Sequence, residues 1–292
     1  MTTIDKNPYF NYAKSFLELV SEGKKLPYGQ ASPCRNITKP ESDSPIALLL
    51  SPHPDDECII GGLPLRLARE NGFRIVNLAL TLGSNSERRK ERLKEVRQAC
   101  SWIGFEFILF MSKGLSKIHT KTREKDPLLW QSMVEELKRI ISDLNPSVIF
   151  FPNARDWNLT HLGVRALALD SLSEMKEISP TLIETEYWGQ IPEPNLLVES
   201  SLQDVSDLLT ALSHHQGELE RNPFHLRLPA WLQDNVRRGA ELVGGQGKEA
   251  PEFGFATLYR VSRMHNGSIS ASWPKGRFLP CDDFRKQDLF EN

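Results

Sequence analysis

The chain has 292 residues, with 36 Lys plus Arg against 38 Asp plus Glu, a net charge of −2, and 39% hydrophobic residues. So near-neutral a balance argues against a nucleic acid or an anionic membrane surface as the main partner, and no stretch approaches the ~18–20 apolar residues of a membrane span. The four cysteines, Cys34, Cys58, Cys100 and Cys281, form no C-x-x-C pair, which suits a reduced intracellular protein better than a disulfide framework.

The opening MTTIDKNPYFNYAKSF lacks a basic segment followed by an apolar one, so no export signal is read there and a cytoplasmic location is expected. Residues 10–22 place Phe16, Leu19 and Val20 at helical spacing, and a Pro-, Ser- and Asn-rich loop follows over 26–45. Residues 1–45 read as an N-terminal extension covering the main domain. From Ile46 onward, short apolar runs predict strands over 46–51, 73–81, 105–111 and 147–152. Continuous apolar runs of this kind suit buried parallel strands. A helix is predicted over 86–103 from Leu93, Val96, Cys100 and Ile103, with Ser84-x-x-Glu87 resembling a capping box. A second is predicted over 127–144, with Asp126 as N-cap, Pro127 as first residue and a stripe of Met133, Val134, Leu137, Ile140, Ile141 and Leu144. The alternation implies an α/β core over 46–180, with a mostly parallel, Rossmann-like sheet and helices on both faces. Beyond residue 181 the pattern loosens around Pro192, Pro194 and Pro223, and 181–292 reads as a C-terminal part completing the domain and its substrate crevice.

The segment S51-P-H-P-D-D-E-C58 sets His53, Asp55, Asp56 and Glu57 directly after the first predicted strand. In an open parallel sheet, ligands bind beyond the carboxyl ends of strands. Carboxylates crowded there repel one another unless a cation compensates, and an imidazole–carboxylate set suits zinc, with iron(II) or manganese tolerated. A third ligand should come from another strand end, and Asp156 and His161 follow the fourth predicted strand. Taken alone, the polar run also fits a solvated turn in which Asp56 caps the next helix. Gly61-Gly62 follows it without a G-x-G-x-x-G fingerprint, which weakens a nucleotide-binding reading.

H53-P-D-D-E57, the Arg92-x-x-Glu95 pair before Gly104, and D156-x-N-x-T-H161 together resemble the LmbE-like, or PIG-L, deacetylases. That family includes the N-acetylglucosaminyl-phosphatidylinositol de-N-acetylase and the deacetylases of the mycothiol and bacillithiol pathways. The resemblance spans roughly 46–170, with weaker echoes at Glu186-Tyr187-Trp188, Pro194-Asn195 and His214-His215-Gln216. It implies a Rossmann-like α/β sandwich and a metal-dependent hydrolase, usually with zinc, that frees the amine of an N-acetylglucosamine unit. It also implies His53, Asp56 and His161 as metal ligands and Asp55 as general base. Arg92 is then a candidate contact to an anionic aglycone, with pairing to Glu95 or another acid as the alternative. Glu57 stays open between orienting the loop by hydrogen bonds and serving as a plain helix-start acid.

Two positions of the second motif depart from the family pattern, and F110-M-S-K-G-L115 after the third predicted strand lacks the acidic residue that relatives often carry there. Asn158 stands where most relatives carry a histidine credited with stabilising the oxyanion or protonating the leaving group, and Thr160 stands where they carry an aspartate. Asparagine can still donate a hydrogen bond to an oxyanion but cannot transfer a proton. His214 or His215 is a candidate for the missing acid. An amidase acting on another acyl amide, and a non-catalytic metal- or sugar-binding relative, remain alternatives at this stage. The expected partner is a small amino-sugar conjugate, with no nucleic acid and no integral membrane segment, and a homo-oligomer stays compatible with the sequence.

Overall fold

The apolar run Ile46–Ser51 forms strand β1, buried at every position. The structure is a computed structural model describing residues 7–30, 41–115, 118–265, 268–273 and 275–281. Strand β1 is flanked on one side by β2 (Arg74–Ala79), with β3 (Glu106–Leu109) beyond it, and on the other by β4 (Val148–Pro152) and then β5 (Thr181–Thr185). All of these pair in parallel. Because the chain winds one way from β1 to β3 and the other way from β4, the carboxyl ends of β1 and β4 flank the switch point. In such sheets a crevice opens there.

The alternate residues of the buried strands feed two cores. Ala47, Leu49 and Phe150 face one side, against α3 (Leu63–Asn71), α4 (Arg89–Ile103) and α8 (Leu202–Leu212). Leu48, Leu50 and Phe151 face the other, against α6 (Pro127–Leu144) and α7 (Leu159–Ser173). Helices on both faces are therefore as expected. Helix α6 begins and ends where its sequence signals put it, with the Asp126 carboxylate accepting from the backbone N–H of Leu129 at 3.1 Å. The capping box at Ser84-x-x-Glu87 is not formed. The Asn85 side chain accepts the Glu87 N–H at 3.0 Å, and α4 starts only at Arg89. The predicted strands at 73–81 and 105–111 are shorter than the apolar runs suggested: β2 ends at Ala79, with Thr81 making only an isolated bridge to Leu115, and β3 ends where Phe110 begins a short 3-10 turn.

The chain beyond residue 181 continues the same sheet. Strand β7 (Phe255–His265) pairs antiparallel with β5 and with β6 (Leu196–Ser200), and β9 (Arg277–Leu279) pairs with β6. The fully buried Arg66 of α3 ties these late strands to the core by donating to the carbonyls of Glu199, Leu279 and Pro280. Short helices α2 (Asp56–Ile59), α5 (Thr120–Lys125) and α9 (Gln216–Arg221), the longer α10 (Leu228–Gly244) and strand β8 (Ser268–Ala271) complete the α-helices and strands after β1 among the described residues. Helix α1 (Phe10–Gly23) has the predicted bounds to within a residue, but none of its residues is buried. Much of the proline-rich stretch after it, residues 31–40, lies outside the described residues. Among the described residues, no helix is long and apolar enough to cross a membrane.

Candidate active site

Strand β1 delivers the chain to the crevice through Pro52 and His53. Asp55 then adopts φ 111°, a left-handed backbone of the kind that costs a non-glycine residue about 1–3 kcal/mol and persists only where neighbours over-determine it. The neighbours here are specific. The Asp55 N–H donates to Glu57 Oε2 at 3.0 Å, while its carbonyl accepts from the N–H groups of Cys58 and Ile59. The turn starts α2 at Asp56, whose Oδ2 accepts the His53 N–H at 2.8 Å. The backbone thereby folds the Asp56 carboxylate back toward the His53 ring. Gly61 holds the following turn at φ 91°, where a side chain would collide with Thr257 and Tyr259.

Strand β4 supplies the second loop. Its first polar residue, Asn153, is fully buried and donates to the carbonyls of Thr185 and Gly189. Asp156 then accepts the Asn158 N–H through Oδ1 at 2.9 Å and the Trp188 N–H through Oδ2 at 3.3 Å. Asn158 is the N-cap of α7, its Oδ1 accepting from the Thr160 N–H at 2.9 Å. His161 therefore sits in the first turn of α7, fully buried, with Nδ1 3.0 Å from Asp156 Oδ2.

The two loops bring the predicted ligands together. His53 Nδ1 lies 3.2 Å from His161 Nε2, and each of these nitrogens lies 3.4 Å from Asp56 Oδ2. Three donor atoms on elements more than a hundred residues apart thus converge on one point. The Asp156 carboxylate takes the other nitrogen of His161, fixing the tautomer that leaves Nε2 with a lone pair for an ion, an arrangement common around metal-bound histidines. Two imidazoles and one carboxylate are the donor set of a divalent site such as zinc, and the residues present fit one. Burial alone would lower the pKa of His161, but the carboxylates of Asp56 and Asp156 outweigh it and hold it above the usual histidine value. Burial alone would raise Asp56, but His161 and His53 outweigh it and hold its carboxyl low. The cluster is electrostatically primed for a cation.

Asp55 stands beside this cluster without being one of its three donors. Burial, and then the Asp56 charge, push its carboxyl up to about 8, while Arg92 and His215 pull the other way. Arg92 is itself almost buried. It donates to the Pro54 carbonyl at 2.9 Å and lies 3.8 Å from Glu218. In the structure its partners are thus the ligand loop and a carboxylate on α9. Glu57 is resolved in favour of the orienting role, since one oxygen holds the Asp55 N–H and the other lies 2.6 Å from His215 Nε2. His215 is fully buried and reaches the site through Glu57; its neighbour His214 lines a separate surface groove with Lys94 and Arg97. Two positions carry more than their sequence reading gave them. Asp156 orients His161, a role its five-residue spacing from the ligand could have suggested. The Glu57–His215 contact had no sequence signal.

Residues 48–172, which include both loops, match the family model described as GlcNAc-PI de-N-acetylase, PIG-L. A probable N-acetyl-alpha-D-glucosaminyl L-malate deacetylase 2 of Bacillus cereus is 27% identical over 192 residues, an alignment covering 59% of this chain and 83% of that protein. Among solved structures, the N,N'-diacetylchitobiose deacetylase of Pyrococcus horikoshii is similar with a TM-score of 0.53 and 14% identity, covering 88% of this chain and 93% of its own. The 4-carboxy-2-hydroxymuconate hydratase of Pseudomonas putida is similar with a TM-score of 0.55 and 14% identity, covering 74% of this chain and 95% of its own. At such identities the structural likenesses establish the fold, and a hydratase among them shows that this fold alone does not choose the reaction. The family match rests instead on the segment that holds both loops, and through residues 48–172 the chain is similar to the PIG-L, or LmbE-like, family.

Proposed function

We propose that this protein hydrolyses the acetamide of an N-acetylglucosamine-type conjugate, releasing acetate and the free amine, with zinc or another divalent ion such as iron(II) held by His53, Asp56 and His161. The observation that carries this reading is the meeting of those three donors at the switch point, with the Asp55 carboxyl beside them and outside the set. When bound, such an ion polarises an acyl oxygen and lowers the pKa of water toward ~7.

The remaining work falls to the chain. The Asp55 carboxylate takes a proton from the attacking water and returns it to the departing amine nitrogen. Asn158 has its Oδ1 committed to capping α7, so the donor end of its amide is the part left to meet the oxyanion. One such donor is typically worth ~10²–10³ in rate, which makes asparagine a workable replacement for histidine at this position. Arg92, through the Pro54 carbonyl, holds the loop that carries Asp55 and Asp56. Among the described residues Cys58, Cys100 and Cys281 are all free thiols, which fits a reducing compartment such as the cytoplasm.

The test is acetate release from a panel of acetamides. N-acetylglucosamine conjugates should be turned over, and N-acetylated amino acids of similar size should not. Turnover confined to the second group would replace the reading with a different amidase.

A further inference from the structure

A cavity of about 380 Å³ lies beside the ligand cluster, and Tyr187 connects the two. Its ring packs edge-on against His161 at 4.9 Å between centroids while also lining the cavity. The other apolar walls are Ile59 from α2, Trp188, Phe224, Leu228 and Trp231. The size is that of a small-molecule site. We propose that this cavity is the aglycone subsite and that it takes an apolar, ring-bearing aglycone. The assignment rests on the deacetylase reading above for the sugar half of the ligand.

Three observations point to that chemistry. Trp188 and Phe224 stand 5.9 Å apart at 69°, an edge-to-face arrangement that offers ring faces and edges to an entering ring. Trp157 extends the row, 6.3 Å from Trp188, and these two indoles are 69% and 45% exposed. Large aromatic surfaces left in water next to a reaction site gain most from a ligand that covers them. The charges of the cavity, finally, are mostly spent. Glu186 accepts from Arg238 at 2.9 and 3.1 Å and from the Ile191 N–H at 2.8 Å, so its carboxylate is neutralised. Arg227 also lines the cavity but is exposed. A carboxylate on the aglycone would therefore exchange its hydration for a single solvated cation among aromatic walls, an unfavourable trade. An aryl group meets no such cost. The guanidinium of the buried Arg92, the sequence candidate for an anionic aglycone, is turned instead to Pro54 and Glu218.

The experiment is calorimetric binding of three glycosides of N-acetylglucosamine with the same anomeric form, carrying phenyl, methyl or malate, together with N,N'-diacetylchitobiose. The phenyl glycoside should bind at least tenfold tighter than the methyl glycoside. The ratio should fall to within twofold in Trp188→Ala, at an exposed side chain, and in Trp231→Ala. Equal affinity for phenyl and methyl would overturn the assignment, as would tightest binding of the malate conjugate. Tightest binding of the disaccharide would overturn it too, making the cavity a second sugar subsite. Because binding is read separately from acetate release, a protein that prefers the phenyl glycoside but releases no acetate would sink the deacetylase reading and leave the subsite standing.

Discussion

Glu57 and His215 stand 158 residues apart in the sequence and meet at 2.6 Å, with both side chains fully buried. The pair ties the start of α9 to the ligand loop, and the other oxygen of Glu57 holds the strained backbone of Asp55. Removing the imidazole strands a buried carboxylate, which costs about 3–5 kcal/mol. His215→Ala should lose stability of that order in urea denaturation, and His215→Gln should lose less because its amide can still donate to Glu57. In both variants the surviving folded enzyme should show a lower kcat with little change in KM, since Asp55 is displaced and the sugar contacts are not. A His215→Ala protein as stable as the parent would show that the contact contributes nothing.

Asp156 is expected to act on the ion without touching it. Its Oδ2 sits 3.0 Å from His161 Nδ1, and loss of such an orienting carboxylate typically weakens metal affinity 10–100-fold. Asp156→Asn should show that weakening in a zinc competition titration, with activity returning as zinc is raised. Unchanged zinc affinity would remove Asp156 from the site.

Arg92 separates two readings that the sequence left open. With its guanidinium on the Pro54 carbonyl, Arg92→Ala should lower kcat for anionic and neutral conjugates by the same factor. A rise in KM confined to the anionic conjugate would show instead that Arg92 contacts substrate.

The two adjacent aspartates should fail differently. Asp55→Asn keeps size and hydrogen-bonding capacity but cannot accept a proton, so it should retain its metal and lose kcat by about 10²–10⁴-fold. Asp56→Asn removes one of the three converging donors, so it should lose metal and regain part of its rate in excess metal. Near-normal kcat in Asp55→Asn, or equal metal loss in both, would reverse the roles.

Much of this is legible in the sequence alone, and the reasons are local. Strand β1 and helix α6 announce themselves because one is a continuous apolar run and the other carries a proline start, an aspartate cap and a clean stripe. The candidate donors stood out because each loop directly follows a readable strand, while the choice of Asp56 over Asp55 as a ligand came from the family resemblance. The late strands could not be read in this way. Strand β7 interleaves Arg260 and Arg263 with its buried residues, and β6 and β9 are five and three residues long. The capping box failed because Asn85 captured the Glu87 N–H first, a competition between two equally local hydrogen bonds. The Glu57–His215 pair depends on where α8 and α9 pack, which no spacing along the chain encodes.

The central claim is that His53, Asp56 and His161 hold the ion on which acetate release depends. Its most direct test measures metal content and acetate release on one preparation, before and after chelation and after zinc is returned, with His161→Ala alongside. The expected result is one ion per chain, loss of acetate release on chelation, recovery with zinc, and neither ion nor activity in His161→Ala. Full acetate release from the stripped protein, or a stoichiometric ion in His161→Ala, would contradict it.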